Sequence, residues 1–138
     1  MDRYKIILVE NDEDEQLFMK EGFDLVPQFD VMAQVKNGDV LFEYLAHHKT
    51  SLPDVILSDL NMPGKNGMDI ILEVKNNPEY QHIPVIITST SSTKSIIDKC
   101  LEAGASDYVV KPDTFIDYKP FVEDLYNRIK QKALVKIN

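Results

Sequence analysis

The sequence predicts an α/β protein of three layers, in which a five-stranded parallel sheet lies between helices in a doubly wound (βα)5 arrangement. Short runs rich in Val and Ile alternate with longer amphipathic stretches, which is the pattern of repeated strand–helix units. Turn-forming Gly, Pro and Asn residues fall between these segments. The 138 residues, 43% hydrophobic and 28% charged, fit one globular domain over 1–138 with a core of about 4–132.

Five short apolar runs are the predicted strands. They are Lys5–Val9, Phe29–Val35, Val55–Ser58, Val85–Thr88 and Tyr108–Val110. The third and fourth runs are almost continuously apolar, which is typical of parallel strands covered by helices on both faces. The sheet is therefore expected to be buried between two helical layers.

The segments between the strands repeat apolar residues at the spacing of amphipathic helices. The residues predicted to share buried faces are Phe18, Gly22 and Leu25; Leu41, Phe42 and Leu45; Met68, Ile71 and Leu72; and Ile96, Ile97, Cys100 and Leu101. A last helix carries Phe121, Leu125 and Ile129 at steps of four, and Pro120 fits this helix only in its first turn. Each face is expected to pack on the sheet.

Charge and composition argue against several classes of function. The formal net charge of −8 opposes contact with a nucleic-acid backbone, so no nucleic-acid partner is expected. No segment approaches the roughly 20 apolar residues that span a bilayer, so no membrane association is expected. The first apolar run is too short for a signal peptide, and the one cysteine, Cys100, cannot form an internal disulfide. We therefore expect a cytoplasmic protein.

Polar residues follow the predicted strands at the points where open parallel sheets bind ligands. Acidic residues follow the first strand, Asp59 follows the third, Ser89 the fourth and Lys111 the fifth. If strands one and three are neighbours, Asp12 and Asp59 converge, and two carboxylates ~4 Å apart repel by about 4 kcal/mol at an effective dielectric constant of about 20. A hard divalent cation such as Mg²⁺, together with the Lys111 ammonium group, would relieve this repulsion.

Four sequence blocks carry a resemblance to a known family. They are residues 8–12 (LVEND), 54–64 (DVILSDLNMPG), 84–89 (PVIITS) and 104–112 (GASDYVVKP). In this order, at the ends of predicted strands, they make the chain resemble the response-regulator receiver domains of two-component signalling over nearly its whole length. The resemblance implies a flavodoxin-like sheet of strand order 2-1-3-4-5, as in stand-alone, CheY-like receivers.

The resemblance also implies the chemistry of the site. Asp59 is expected to accept a phosphoryl group from a histidine kinase or a histidine phosphotransfer protein in a Mg²⁺-dependent reaction. Asp12, the Asp59 carboxylate and the main-chain carbonyl of Asn61 are expected to bind the metal, while Lys111 and Ser89 stabilise the transferred group. The peptide bond between Lys111 and the following proline is expected to be cis.

Asn11 departs from the family pattern, because the family usually has the first acid of a pair at this position. An amide removes one formal negative charge, so we expect weaker Mg²⁺ binding or altered dephosphorylation. Asn11 is a candidate to reach the metal through a water molecule, with Glu10 compensating in part. The acidic run Glu13–Glu15 is interpreted as a solvated first helical turn that faces the helix dipole and has no catalytic role.

Ser89 and Tyr108 are the expected switch residues. In receivers that this chain resembles, the hydroxyl residue after strand four moves toward the phosphoryl group and the aromatic residue on strand five turns in behind it. Helix four, strand five and helix five are expected to form the output face, which binds an unidentified downstream protein or a second copy of the chain as a homodimer. The protein is expected not to be an enzyme, apart from catalysing its own phosphotransfer and dephosphorylation.

Two other functions remain open from the sequence. A phosphorylation-independent protein-interaction module would keep the fold, and Asn11 is the feature that favours it. A flavodoxin-like electron carrier would share the strand order. That carrier needs a hydroxyl- and glycine-rich loop after strand one to hold the flavin phosphate, whereas the acidic residues 12–14 would repel a phosphate.

Overall fold

A parallel sheet of five strands forms the centre of the structure, a computed structural model that describes residues 3–112 and 117–135. The strands are β1 (Tyr4–Val9), β2 (Phe29–Val35), β3 (Val55–Asp59), β4 (Val85–Ser89) and β5 (Asp107–Val110), in the order β2-β1-β3-β4-β5. The predicted order is confirmed, and every predicted strand end lies within one residue of its observed position. The winding direction reverses between β1 and β3, so a crevice opens at their carboxyl ends, where such sheets bind ligands.

Two layers of helices cover this sheet in the described part of the chain. The helices are α1 (Glu13–Asp24), α2 (Gly38–His47), α3 (Gly67–Asn76), α4 (Lys94–Ala103) and α5 (Lys119–Gln131). Helices α1 and α5 contribute to one buried cluster, and α2, α3 and α4 contribute to the other. The predicted three-layer α/β fold is therefore confirmed. None of these helices combines the length and apolarity that crossing a membrane requires.

The first strand shows why its run is apolar at every position. Ile6 and Leu8 pack in the cluster of α1 and α5, while Ile7 and Val9 pack in the cluster of α2, α3 and α4. Successive side chains of a strand point to opposite faces, so a strand buried on both faces needs an uninterrupted apolar run. Burying a side chain of this size contributes about 1.5–3 kcal/mol. The carboxyl end of β1 is therefore firmly held, and the polar residues that follow it start from a fixed point.

Asparagine and glycine residues set the helix ends. The Asn37 side chain accepts a hydrogen bond from the Val40 N–H and caps α2. Asn66 and Asp69 form a reciprocal capping box at the start of α3. Gly104 ends α4 in the left-handed conformation with φ of 118°, which glycine adopts without a steric penalty. These local signals fix where α2 and α3 begin, close to the carboxyl edge of the sheet.

Three residues that were predicted to lie on buried helix faces are exposed. They are Leu25, Leu72 and Leu101. Leu25 lies just past the last residue of α1, so helical spacing no longer determines its direction. Leu72 and Leu101 lie beside buried residues, Ile71 and Cys100, at the edges of their helix faces. The predicted face of the last helix, in contrast, is buried throughout.

Candidate functional site

Asp59 is the last residue of β3, and its backbone is held from two sides. The Leu60 N–H donates to the carbonyl oxygen of Thr88 on the neighbouring strand. The first residue of α3, Gly67, approaches so closely that an added Cβ would lie 2.5 Å from the Asp59 carbonyl oxygen and 2.9 Å from Leu60 Cα. Only glycine permits this approach, so the start of α3 fixes the position of Asp59. The side chain is nearly inaccessible, with 4% of the residue exposed.

Lys111 reaches Asp59 from β5, on the far side of β4. Its N–H donates to the carbonyl oxygen of Ser89, which continues the pairing of β4 and β5 by one residue. Its Nζ lies 2.6 Å from Asp59 Oδ1, 3.0 Å from Glu10 Oε1 and 2.6 Å from Glu15 Oε2. The structure therefore brings together Asp59 and Lys111, the two residues on which the sequence interpretation depended most.

Glu10, Glu15 and Asp59 form what we call the acidic cluster, with one carboxylate oxygen from each lying within 4.8 Å of the others. All three residues are buried. Together with the Lys111 ammonium group, three ionised carboxylates give the site a formal charge of −2. Charges removed from water repel more strongly than exposed charges, so this arrangement favours the binding of an additional proton or cation.

The pKa values of the central pair have clear physical causes. Burial, followed by the hydrogen bond with Glu10, raises the pKa of Asp59 from 3.8 to about 8, although Lys111 opposes this shift. Burial disfavours the charged form of Lys111, but the Asp59 and Glu10 carboxylates outweigh burial and hold its pKa above the ordinary value. Lys111 therefore stays protonated, and it does not neutralise the whole acidic cluster.

The donor set fits a hard divalent cation. Although Lys111 Nζ lies at ion-pair distance, the buried Asp59 Oδ1 has no donor aligned for a hydrogen bond among the described residues. The Asp59 carboxylate shares this one ammonium group with Glu10 and Glu15, so its charge is only partly compensated, and carboxylate oxygens are the ligands that Mg²⁺ prefers. The oxygens of Glu10, Glu15 and Asp59 are the ones that could hold such an ion. Asn61 lies exposed in the loop that follows β3.

The structure places Glu10, instead of Asp12, beside Asp59. Glu10 directly follows β1 and its N–H still pairs with the Val35 carbonyl oxygen of β2. Asp12 lies two residues further on, at the N-cap of α1, where its side chain accepts from the Glu15 N–H at 2.9 Å. Asp12 does not belong to the acidic cluster in the described part of the chain. The carboxylate beside Asp59 is therefore that of Glu10 and not that of the expected Asp12, because the start of α1 engages the Asp12 side chain.

Glu15 also corrects the sequence interpretation. Glu13 and Asp14 are exposed as expected for a solvated first turn, but Glu15 is buried. Its Oε1 accepts a hydrogen bond from the Tyr118 hydroxyl at 3.3 Å, while its Oε2 contacts the lysine. A signal was present in the sequence, since Glu15 lies four residues before Met19, on the face of α1 that packs on the sheet.

The expected cis peptide bond before Pro112 is not found. All peptide bonds among the described residues are trans, including that between Lys111 and Pro112. The trans form is favoured for X–Pro bonds by about 0.5–1 kcal/mol. Lys111 reaches the acidic cluster with this bond in the trans form.

Ser89 and Tyr108 meet through the peptide segment at Ser91. The Ser89 Oγ, at the end of β4, accepts from the Ser91 N–H at 3.2 Å. The Tyr108 hydroxyl donates to the Ser91 carbonyl oxygen at 2.8 Å. Both switch candidates are buried and share one contact in the loop between β4 and α4.

The fold and the site together define a class of doubly wound α/β domains with a buried aspartate–lysine pair at the carboxyl end of the sheet. Residues 6–118 match the response regulator receiver domain family. The chain belongs to this family, which is a family of signalling domains in two-component systems.

Relatives by sequence include response regulators of plants and a bacterial protein. The chain is 42% identical over 64 residues to the two-component response regulator ORR12 of Oryza sativa subsp. japonica, which covers 46% of this chain and 53% of that protein. The chain thus matches about half the length of such curated relatives. It is 34% identical over 107 residues to a probable cyclic di-GMP phosphodiesterase of Vibrio cholerae, covering 78% of this chain and 23% of that protein.

Solved structures of receivers share the fold. The response regulator RPA3017 in red light signaling of R. palustris superposes with a TM-score of 0.81 at 22% identity, covering 97% of this chain and 99% of that one. The phosphorylated cyanobacterial phytochrome response regulator RcpA superposes with a TM-score of 0.77 at 28% identity, covering 91% and 92%. The architecture is therefore that of receiver domains.

Proposed function

We propose that Asp59 accepts a phosphoryl group from a histidine kinase or a histidine phosphotransfer protein, in a Mg²⁺-dependent reaction. The observation that carries this proposal is the buried Asp59 carboxylate with Lys111 Nζ at 2.6 Å and with Oδ1 lacking an aligned hydrogen-bond donor. A carboxylate so placed is a nucleophile beside a cation, which is what phosphoryl transfer needs. The likeness to RcpA, whose structure is that of a phosphorylated protein, adds support.

The proposed transfer is a single in-line displacement at phosphorus. A carboxylate oxygen of Asp59 forms the new O–P bond, and the P–N bond to the donor histidine breaks. The electron pair remains on the imidazole nitrogen, which takes up a proton. Lys111 and the Ser89 hydroxyl stabilise the negative charge on the phosphoryl oxygens. When bound, Mg²⁺ supplies further positive charge for the same purpose.

The metal ligands that we propose are Glu10 and Asp59, with the main-chain carbonyl of Asn61. Asn11 would take part through water. Mg²⁺ commonly keeps several water ligands and few protein ligands, so this set is sufficient. Phosphorylation adds negative charge next to Lys111 and new acceptors for the Ser89 hydroxyl, and so it shifts a two-state element.

We further propose that this shift changes association through α4, β5 and α5, either with a downstream protein or with a second copy of the chain. The shared contact of Ser89 and Tyr108 at Ser91 supports this route, because movement of Ser89 would disturb the loop that leads into α4. Histidine-kinase signalling of this kind operates in the cytoplasm, where we propose that the protein acts.

The test uses a small phosphodonor. The full chain is incubated with phosphoramidate and Mg²⁺, and the phosphorylated fraction is measured by intact mass spectrometry and by phosphate-affinity gel. We expect one phosphoryl group on the wild type, none on Asp59→Asn, and one on Asp54→Asn, a matched control in the segment leading into β3. An unmodified wild type, or equal labelling of Asp59→Asn, contradicts the proposal.

Asn11 favours a second candidate, a receiver-like interaction module that does not depend on phosphorylation. The two candidates differ in what beryllium fluoride, a phosphoryl mimic, does to association. Analytical ultracentrifugation with and without beryllium fluoride and Mg²⁺ separates them for self-association. A fluoride-dependent change in wild type that disappears in Asp59→Ala supports phosphoacceptor signalling, whereas association that is identical under all four conditions supports the module.

A further inference from the structure

Glu15 is the one residue of the acidic run 13–15 that is buried at the site. The Asp12 cap begins α1 so that its third residue, Glu15, faces the sheet. Glu13 and Asp14, on the same helical turn, are exposed. An acidic side chain is rarely buried unless it has partners, so the placement of Glu15 requires a reason.

Both oxygens of Glu15 have a partner. Oε2 lies 2.6 Å from Lys111 Nζ, and Oε1 accepts from the buried hydroxyl of Tyr118 at 3.3 Å. Lys111 is thus shared between Glu15 on α1 and the pair Glu10 and Asp59 at the strand ends. Because Lys111 Nζ lies as close to Glu15 as to Asp59, its one positive charge is divided and neutralises the pair Glu10 and Asp59 less completely.

The charge of the site depends on Glu15. The two residues that directly follow β1 are Glu10 and Asn11, and Asn11 carries no charge. Glu10, Asp59 and Lys111 alone would give a formal charge of −1. With Glu15 the formal charge is −2, which one divalent cation balances. Asp59 Oδ1 is buried and shares the single Lys111 ammonium group, 2.6 Å away, with Glu10 and Glu15, so the charge of the three carboxylates is only partly compensated.

We propose that Glu15 is a positioning residue that supplies the negative charge that Asn11 does not, and that it holds Lys111 where a divalent cation can bind Glu10 and Asp59. This inference rests on the proposed function, since it concerns the cation that the phosphoryl transfer uses. By this inference α1 contributes, through Glu15, a negative charge that the residues at the strand ends do not provide.

The experiment is a charge-exchange cycle on the full chain. Mn²⁺ and Mg²⁺ affinities are measured by isothermal titration calorimetry for wild type, Glu15→Gln, Asn11→Asp and the double variant. Ligand charge tunes the affinity of such sites, so we expect about ten-fold weaker binding for Glu15→Gln and a return to within about three-fold of wild type in the double variant. Glu13→Gln, the same charge change on the exposed part of the turn, is the matched control and is expected to change affinity less than about two-fold.

The double variant distinguishes a loss of affinity caused by lost charge from one caused by structural damage. A carboxylate introduced by Asn11→Asp would restore the lost charge, but it would not repair structural damage at Glu15. Affinity of Glu15→Gln equal to that of Glu13→Gln, or a double variant as weak as Glu15→Gln, overturns the inference. If Glu15→Gln does not fold, Asn11→Asp alone decides. Asn11→Asp is expected to bind Mn²⁺ and Mg²⁺ more tightly than wild type. Unchanged affinity would refute the proposal that Glu15 supplies a charge that residue 11 lacks.

The failure of this inference is distinguishable from failure of the proposed function. Phosphorylation of the wild type by phosphoramidate at saturating Mg²⁺ reports on the proposed function, whatever Glu15 does. In Glu15→Gln the half-saturating Mg²⁺ concentration for phosphorylation should rise about ten-fold, in parallel with the calorimetric affinity. A wild type that is phosphorylated, combined with an unchanged half-saturating concentration in Glu15→Gln, overturns only the role of Glu15.

Discussion

Two buried aspartates at opposite ends of the sheet have contrasting surroundings. Asp59 ends β3, Asp107 begins β5, and each is 4% exposed. Asp107 accepts two hydrogen bonds from the Arg128 guanidinium group at 2.9 Å each, one from Lys132 Nζ at 3.0 Å and one from the Tyr108 N–H at 2.8 Å. Asp59 shares one ammonium group with two other carboxylates.

The pKa values of the two carboxyl groups move in opposite directions as a result. Burial opposes ionisation of Asp107, but its hydrogen bonds with Arg128 and Lys132 prevail and lower its pKa. Burial and Glu10 prevail at Asp59 and raise its pKa to about 8. At equal solvent exposure, the same residue type therefore has a lowered pKa at one end of the sheet, where it pairs with two cations, and a raised pKa at the other, where three carboxylates share one ammonium group.

The largest expected effect on stability comes from removing the ion pairs of Asp107 with Arg128 and Lys132. Breaking a fully buried ion pair costs about 3–5 kcal/mol because it leaves a buried charge without a partner. Asp107→Ala leaves Arg128 and Lys132, which are partly exposed to water, so we expect a smaller loss of about 2–3 kcal/mol in the free energy of unfolding. Urea denaturation followed by circular dichroism measures this. Asp98→Ala, which removes an exposed helical pair with Lys94, is the control and should change the free energy of unfolding far less. Equal losses of stability in Asp107→Ala and Asp98→Ala would show that the buried ion pairs of Asp107 stabilise the fold no more than an exposed pair does.

The second effect has the opposite sign. Without divalent cations, Asp59→Asn should raise the free energy of unfolding by about 2 kcal/mol near neutral pH, because the amide replaces a carboxyl group that the folded state keeps protonated at a pH where the unfolded state ionises it. Urea denaturation in the presence of a chelator measures this gain. Added Mg²⁺ stabilises the wild type by binding its folded state, so the difference should shrink. A wild type more stable than Asp59→Asn in chelator would show that the acidic cluster is satisfied without a cation.

This gain should depend on pH. The folded-state pKa of Asp59 is raised from 3.8 to about 8, so the folded state holds a proton that the unfolded state releases. The penalty is absent below the unfolded pKa, grows as pH rises from about 4, and is complete above about 8. Asp107, whose pKa is lowered, acts oppositely: its stabilisation is present above 3.8 and is lost as pH falls through its folded pKa. A pH-independent difference between wild type and Asp59→Asn would contradict this account.

A third, smaller effect tests whether the site depends on the backbone of Asp59. An added Cβ at Gly67 would lie 2.5 Å from the Asp59 carbonyl oxygen, while one at Gly38 would lie 2.6 Å from Lys65 Cβ. Both glycines begin a helix, and both Ala variants should lose about 1–2 kcal/mol through overpacking. Only Gly67→Ala should also slow phosphorylation by phosphoramidate, by about ten-fold, because it displaces the nucleophile. Equal phosphorylation rates would show that the position of Asp59 tolerates this displacement.

The fold could be predicted from the sequence because its signals are local and repeated. The run from Ile6 to Val9 is apolar on both faces, and the turn-forming Asn residues predicted between the segments include Asn37 and Asn66, which cap α2 and α3. Such signals do not depend on the rest of the chain, so the predicted strand bounds are correct to within one residue. The strand order, in contrast, is confirmed as the resemblance to receiver domains implied it.

The site was only partly predictable because its residues come from separate segments. Asp59 and Lys111 are predictable because each lies in a sequence block that resembles receiver domains. The structure places Lys111 Nζ 2.6 Å from Asp59 Oδ1. The choice between Glu10 and Asp12 depends on where β1 stops and α1 starts, a difference of two residues that composition does not settle. The role of Glu15 depends on a contact with a lysine 96 residues away, and neither residue signals that contact by itself.

The smallest effect concerns Tyr108, which connects the two regions. Its N–H donates to the satisfied Asp107, and its hydroxyl donates to the Ser91 carbonyl oxygen, next to the Ser89 contact. Tyr108→Phe removes one hydrogen bond and should cost about 1 kcal/mol or less in stability.

The same variant should nevertheless abolish the change in hydrogen exchange that beryllium fluoride and Mg²⁺ produce around Ser91, because the hydroxyl no longer couples that loop to β5. Tyr44→Phe, on the distant α2, should leave the change intact. Retained exchange changes in Tyr108→Phe would mean that the Asp59 site communicates with α4 by another route. In that case the ion pairs of Asp107 at the start of β5 contribute to stability alone, and Tyr108 takes no part in the switch.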